Sequence, residues 1–218
     1  MTVPSPSASP PVNVDLHPGR LPGARTALLL VDLQNDFLAP DGAYARGGAA
    51  HAAAQALPAR IAPLVQRLRA AGGLVVASRF TLWPRAGGEP MIAPHLKALR
   101  PFLARGDFAP GSRGQAVVDT LAPAVDVAVD KVAYSAFFHT QLDWVLRHAG
   151  IEHLIVCGIV TNGGVASSVR DAHLREFHTL VAADGCAAFR PEVHETTLAD
   201  LRSIVEVSDL ASLAARLD

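Results

Sequence analysis

The sequence predicts an α/β fold in which a parallel β-sheet carries helices on both faces. Six short apolar runs alternate with longer segments whose apolar residues recur every three or four positions. The runs are almost continuously apolar rather than alternating, which is typical of strands that are covered on both faces. The predicted strands are Ala27–Val31, Leu74–Ala77, Val125–Val129, Leu154–Ile159, Leu180–Ala183 and Ile204–Val207.

Amphipathic segments between these runs predict the helices. Pro58–Ala71 shows the clearest apolar face, formed by Ile61, Leu64, Val65 and Leu68. Caps are expected at Thr140, with Asp143 three residues later, and at Ser208. The other predicted helices are Thr140–Ala149, Val165–Phe177, Pro191–Arg202 and Leu210–Leu217. Strand–helix alternation of this kind favours a parallel sheet with right-handed connections.

Length and composition indicate one globular domain with a sizeable core. The chain has 218 residues, half of them hydrophobic, and a formal net charge of −1, so no electrostatic feature favours nucleic acid or an anionic membrane as partner. Residues 1–24 are rich in Pro and Ser and are predicted to form a flexible arm, which leaves 25–218 as the folded domain. With two cysteines, no signal-peptide pattern and no apolar run of about 20 residues, the expectation is a soluble cytoplasmic protein.

One connection is longer than the rest and rich in proline and glycine. It runs from Phe80 to about Arg113, directly after the second predicted strand. Long irregular connections in compact α/β domains are commonly functional, and open parallel sheets bind ligands at the carboxyl ends of their strands. The sequence therefore predicts that this segment covers a binding site.

Residues suited to a functional site follow three of the predicted strands. Asp32 comes directly after an apolar run, where poor solvation would raise its pKa and suit it to acid–base chemistry, although a turn aspartate is also compatible. Lys131 follows the third run and, taken alone, could be a solvated lysine. Gly163 and Gly164 precede a helix, where they either expose backbone N–H groups to a developing anion or permit tight packing.

Taken together, these three segments resemble the signature regions of the isochorismatase-like hydrolases. The segments are VDLQNDF, DKVAYSAF and GIVTNGGVASSVRDA, and the resemblance extends from about Thr26 to the C-terminus with order and spacing preserved. The superfamily includes nicotinamidases and the N-carbamoylsarcosine and ureidoacrylate amidohydrolases. The resemblance implies a three-layer α/β/α, Rossmann-like fold with a six-stranded parallel sheet, and a homodimer or homotetramer.

The resemblance also implies a set of site residues. In most members an aspartate, a lysine and a cysteine act together; Asp32 and Lys131 match the first two, and Gly164 occupies the cysteine position. A thiolate route is closed there, as in isochorismatases, which this sequence resembles in carrying glycine. A non-proline cis bond is expected at Ile159–Val160, turning the Val160 and Gly164 amides towards one point as an oxyanion-type site. Whether Cys186 or Ser167 replaces the missing cysteine is left open.

Further residues are candidates for substrate binding because they lie in or beside the motifs. Arginine could hold a substrate carboxylate bidentately, although Arg79 could equally form a structural ion pair, and the aromatic side chains could line an apolar pocket. The set comprises Gln34, Phe37, Arg79, Trp83, Arg85, Tyr134, Phe137 and Asn162. No metal and no other cofactor is expected, because the Asp-x-His pair of metal-dependent nicotinamidases is missing from Ser78–Pro84.

The motifs and the resemblance are compatible with three functions, each of which has a small molecule as substrate or ligand. The first is non-covalent hydrolysis of a carboxylated enol ether similar to isochorismate, in which Asp32 donates a proton and Lys131 assists. The second is hydrolysis of a C–N bond, in an amide or ureide, by water that Asp32 activates. The third is a family member without catalytic activity that binds a metabolite.

Overall fold

The centre of the computed structural model, which describes residues 19–218, is a six-stranded sheet. The strand order is β3-β2-β1-β4-β5-β6, and every neighbouring pair is parallel. The α/β fold and the six-stranded parallel sheet expected from the sequence are therefore confirmed. The strands are β1 (Thr26–Val31), β2 (Leu74–Phe80), β3 (Val127–Lys131), β4 (His153–Ile159), β5 (His178–Ala187) and β6 (Glu206–Ser208).

Helices cover both faces of the sheet, as the burial of the central strand requires. All six residues of β1 are buried, and because successive side chains point to opposite faces, both faces must be covered. Each fully buried leucine in β1 contributes about 1.5–3 kcal/mol to folding. The helices are α1 (Asn35–Leu38), α2 (Ala43–Arg46), α3 (Ala52–Gln55), α4 (Leu57–Ala70), α5 (Pro94–Leu99), α6 (Leu142–His148), α7 (Ala166–Leu174), α8 (Pro191–Leu201) and α9 (Leu210–Arg216).

The short helices and one cap differ from the sequence prediction. The segments α1, α2, α3 and α5 have four to six residues, which is too few to show a helical period, so the sequence pattern does not indicate them. The cap of α9 is Asp209 rather than Ser208, since the Asp209 carboxylate accepts a hydrogen bond from the Ser212 amide at 2.7 Å. Thr140 does serve as a local acceptor, for the Leu142 amide at 3.2 Å.

The beginning of the described chain packs against its end. Leu21 is 1% exposed, and its amide donates to the Arg216 carbonyl at 2.8 Å. Residues 21–24 thus belong to the folded domain, and the predicted boundary at residue 25 falls inside it. Residues 1–18 of the predicted arm lie outside the described residues. Within residues 19–218, every helix is too short or too polar to cross a membrane.

A close approach between β1 and β4 brings two site segments together. Gly158 pairs with Val31, the last residue of β1, and has a φ of 123°. A Cβ at this position would lie 2.2 Å from the Val31 carbonyl oxygen, so only glycine fits without displacing backbone. The ends of β1 and β4 consequently open side by side at the carboxyl edge of the sheet.

At the opposite edge, two histidines pair across the first residues of β4 and β5. The Nδ1 atoms of His153 and His178 lie 2.8 Å apart, a hydrogen bond that needs at least one of these nitrogens unprotonated. Burial, reinforced by His178, lowers the pKa of His153 below its ordinary value near 6.5. A histidine with a lowered pKa stabilises the fold fully above pH 6.5, and that contribution decreases as the pH falls from 6.5 towards the folded-state pKa.

We therefore predict that the protein loses stability between about pH 7.5 and pH 5.5, and that His153→Gln makes this loss smaller. Urea unfolding midpoints at the two pH values measure the effect. The matched control is His95→Gln, since His95 is exposed. An unchanged pH dependence in His153→Gln would contradict the assignment.

Candidate active site

A cavity of about 600 Å³ opens at the carboxyl edge of the sheet, beneath the long connection after β2. Its walls are mainly aromatic and aliphatic, and they come from the ends of β1 and β3, from the turn after β4 and from the long connection. Three charged side chains line it, namely Asp32, Lys131 and Arg100. An apolar pocket with a few convergent polar groups is the usual form of a small-molecule site.

Asp32 is positioned by the end of β1 and by its neighbour β2. Its backbone is in the left-handed region, with a φ of 57°, and its amide donates to the Ser78 carbonyl at 3.1 Å. The Ser78 hydroxyl donates to Asp32 Oδ1 at 3.3 Å. The carboxylate is thereby held at the bottom of the cavity with only 8% of its side chain exposed.

Lys131, the last residue of β3, forms a buried ion pair with this carboxylate. Its Nζ lies 2.8 Å from Asp32 Oδ2, with 1% of the side chain exposed. The same ammonium donates to the Ala133 carbonyl at 2.9 Å and lies 5.8 Å from the centre of the Phe80 ring. Burial raises the pKa of the Asp32 carboxyl above its ordinary value, although the Lys131 charge acts in the opposite direction.

Gly164 lies directly beside the ion pair. It belongs to a π-helical turn, Thr161–Val165, that follows a cis peptide bond between Ile159 and Val160, as the resemblance implies. A Cβ at Gly164 would lie 3.2 Å from Asp32 Oδ2 and 2.9 Å from both the Ile159 oxygen and Val31 Cγ1. The three sequence motifs therefore converge. The neighbouring backbone and side chains pack so closely against Gly164 that they leave no room for a side chain.

Ser168 connects the second and third motifs. Its buried hydroxyl donates to the Gly164 carbonyl at 2.7 Å and accepts from the Ala136 amide at 2.9 Å. The hydroxyl of Ser168 thus has a structural role, because both of its hydrogen bonds join backbone segments beside the site. Its neighbour Ser167 does not line the cavity.

The two cysteines are unsuited to replace a nucleophile at Gly164. Both are buried, and neither lines the cavity. Burial raises the pKa of Cys157 well above its ordinary value and that of Cys186 to about 12. Since the thiolate is the reactive form, both thiols are held in the unreactive state near neutral pH.

Of the substrate-binding candidates named from the sequence, three line the cavity and five do not. Phe37, Trp83 and Tyr134 form part of its wall, together with Val160 of the expected oxyanion site. The residues outside it are Gln34, Arg79, Arg85, Phe137 and Asn162.

Structural contacts account for the placement of the residues outside the cavity. Gln34 is buried and bonds to the Phe80 backbone and the Gln115 carbonyl. Arg79 pairs across the sheet with Asp130, with Nε 2.7 Å from the carboxylate. Phe137 packs in the core against Phe177, and both Arg85 and Asn162 are exposed.

The sequence did not indicate several residues of the cavity wall. Tyr44 comes from α2, Arg100 follows α5, and Phe189 follows β5. The Tyr44 and Phe189 rings are stacked, with centres 5.6 Å apart. No motif marks these positions. The only sequence signal that pointed towards Arg100 is the length of the connection that contains it.

No group of three His, Cys, Asp or Glu side chains in residues 19–218 is arranged to hold a metal ion. The cavity itself offers one carboxylate, Asp32, and that carboxylate is already paired with Lys131. The one carboxylate of the cavity thus forms an ion pair with a lysine and does not belong to a set of metal ligands.

The chain is thus a parallel α/β protein with a buried carboxylate–lysine pair and a small-molecule cavity at the carboxyl edge of its sheet, and comparison with known proteins shows the family to which it belongs. Residues 26–212 match the isochorismatase domain. The chain belongs to the isochorismatase family, and it is a hydrolase of that family.

Individual relatives are similar over most of the chain. It is 34% identical to the ureidoacrylate amidohydrolase RutB of Methylobacterium radiotolerans, over 92% of this chain and 83% of the other. It is 35% identical to RutB of Yersinia enterocolitica, over 83% of each chain. Among solved structures, a cysteine hydrolase from Pseudomonas syringae pv. phaseolicola superposes with a TM-score of 0.76 at 29% identity, covering 91% of this chain and 96% of the other.

We predict that Asp32 and Lys131 are energetically coupled in the folded protein. Lys131→Met leaves the Asp32 carboxylate buried and unpaired, so we expect a loss of about 3–5 kcal/mol in the free energy of unfolding. The double variant with Asp32→Asn removes both charges and should recover a large part of that loss. Urea unfolding of the single and double variants measures the coupling. Additive effects of the two substitutions would show that the ion pair is not coupled.

The second prediction concerns the space at Gly164. Gly164→Ala places a methyl group 2.9 Å from a backbone oxygen, so we expect a loss of about 1–3 kcal/mol in stability. The control is Gly87→Ala, where nothing lies within 4 Å of the added Cβ. Equal urea midpoints for the two variants would contradict the observed packing.

Proposed function

We propose that this protein hydrolyses a C–N bond in a small amide or ureide without forming a covalent enzyme intermediate. One observation carries the proposal: the buried Asp32–Lys131 pair faces Gly164, where no side chain can act as nucleophile. The RutB relatives, which are ureidoacrylate amidohydrolases, support the C–N bond as the target. This choice reverses the order of preference that the motifs alone suggested.

In the proposed reaction, water replaces the thiol. The Asp32 carboxylate accepts a proton from a water molecule beside Gly164, and the hydroxide formed attacks the carbonyl carbon of the substrate. The carbonyl oxygen gains the negative charge, which Lys131 and the backbone amides of Val160 and Gly164 stabilise. The C–N bond then breaks, and the leaving nitrogen takes the proton from Asp32, so that the carboxylate is regenerated.

A second candidate is hydrolysis of a carboxylated enol ether, and the protonation behaviour of Asp32 favours it. Burial raises the pKa of this carboxyl, so it could donate a proton to the enol carbon, after which water captures the cation. The sequence resemblance to isochorismatases in the glycine at position 164 supports the same chemistry. A metabolite-binding protein without turnover is the third candidate.

Product analysis separates these functions. We expect the protein to release ammonia from ureidoacrylate and to release no pyruvate from isochorismate. Asp32→Asn, which keeps the shape but cannot accept the proton, should lower the stability because the buried Lys131 ammonium loses its partner, yet remain folded by circular dichroism with less than about a tenth of the activity. Pyruvate release alone would replace the proposed function by the second. No product from either compound, together with thermal stabilisation by both, would indicate the binding protein.

We predict that the hydrolysis rate depends on pH in opposite directions for the two reactions. A general base must be ionised, so C–N hydrolysis should decline as the pH falls through the raised pKa of Asp32. A general acid must be protonated, so enol-ether hydrolysis should decline as the pH rises through the same pKa. Initial rates between pH 4 and pH 9 distinguish the two reactions. A rate that declines only as the pH rises would contradict C–N hydrolysis.

A further inference from the structure

We propose that Arg100 is the anchor for a substrate carboxylate, so that this site selects monocarboxylates over neutral compounds of the same size. The inference deepens the proposed function, since it rests on the same cavity being the active site. It assigns a role to a residue that belongs to none of the three sequence motifs. It also replaces Arg79 as the candidate for this role, because Arg79 is already paired with Asp130.

The charged side chains of the cavity wall do not balance. Lys131 is neutralised by Asp32 at 2.8 Å. Arg100 is half-buried and lines the same cavity, yet no carboxylate within residues 19–218 lies within ion-pair distance of it. The cavity therefore contains one positive charge in excess, inside a wall that is mainly aromatic and aliphatic. A bound anion would neutralise that charge.

A tyrosine holds the guanidinium in place. Arg100 Nε donates to the Tyr44 hydroxyl at 2.8 Å, and Tyr44, Tyr134 and Arg100 all line the same cavity. Burial raises the pKa of Tyr44, so its hydroxyl stays neutral and does not cancel the arginine charge. The Nε contact leaves N–H groups on the terminal nitrogens, whose planar fork matches the two oxygens of a carboxylate.

The same tyrosines connect this anchor to the reaction centre. A Cβ at Gly163 would lie 3.3 Å from the Tyr134 ring, so that ring packs on the turn that contains Gly164. Tyr44 packs against Phe37, with ring centres 4.7 Å apart, and both rings line the cavity. A substrate held at Arg100 would thus lie between aromatic rings, with its other end towards Asp32 and Lys131. A flat, unsaturated monocarboxylate has the shape and charge that this arrangement fits.

A binding experiment tests the anchor without any turnover. The probes are trans-cinnamate and cinnamyl alcohol, which share a flat apolar body and differ in charge. We expect calorimetry to show that the wild type binds cinnamate at least about tenfold more tightly than the alcohol. Arg100→Met should lose this preference without weakening the alcohol, and Arg100→Lys should keep part of it. The matched control, Arg105→Met, changes an exposed arginine of the same connection and should behave as the wild type.

Two results of the binding experiment would overturn the proposal. One is an Arg100→Met variant that is folded by circular dichroism and still prefers cinnamate. The other is inorganic phosphate competing as well as cinnamate, which would show an unselective anion site rather than a carboxylate site.

A kinetic experiment keeps this proposal separate from the proposed function. With ureidoacrylate as substrate, Arg100→Met should raise KM at least about tenfold and leave kcat within about threefold, because the anchor holds the substrate and does not take part in proton transfer. If the wild type does not hydrolyse ureidoacrylate but shows the cinnamate preference, the C–N function is wrong and the anchor stands. If it hydrolyses ureidoacrylate and Arg100→Met leaves KM unchanged, the anchor is wrong and the function stands.

Discussion

The buried ion pair between Asp32 and Lys131 is the constraint on which the rest of the site depends. Two charges can be removed from water only if each has close partners, because the desolvation penalty amounts to several kcal/mol per ion. Here the pair is 2.8 Å long, with further hydrogen bonds from Ser78 and to the Ala133 carbonyl. The two partners come from the ends of β1 and β3, and β2 lies between these strands and supplies Ser78. The pair therefore links three neighbouring strands at the edge where the cavity opens.

Gly164 decides what kind of chemistry this pair can perform. A residue with a side chain at this position would point at Asp32 Oδ2, and a thiol there could be activated by that carboxylate. With glycine at this position, the carboxylate and the ammonium line the cavity beside a residue that has no side chain. The close contacts that a Cβ would make with Ile159 and Val31 indicate that the packing has adapted to glycine. Both proposed reactions are compatible with this geometry, and they differ in whether Asp32 first accepts or first donates a proton.

The long connection after β2 contributes a large part of the cavity wall. It brings Arg100 to the cavity wall, and Tyr44 from a separate short helix fixes the guanidinium. The reaction centre is thus built from strand ends, whose positions the sheet fixes, while the wall opposite is built from loops and short helices. This division is common in α/β proteins, where a rigid sheet positions the chemistry and the connections supply specificity.

The sequence by itself determined the fold class, the six strands and the convergence of Asp32, Lys131 and Gly164 at one edge of the sheet. Strand ends in a parallel sheet meet at one edge, so motifs placed directly after strands had to converge, as Asp32, Lys131 and Gly164 do. Only the tertiary structure decided which neighbours of the motifs face the cavity. Arg79 and Phe137 are close to the motifs in sequence, but one is paired with Asp130 and the other lies in the core. Tyr44, Arg100 and Phe189 reach the cavity from three distant segments with no periodic pattern. Side-chain direction and long-range packing set these positions, and neither can be read from local sequence.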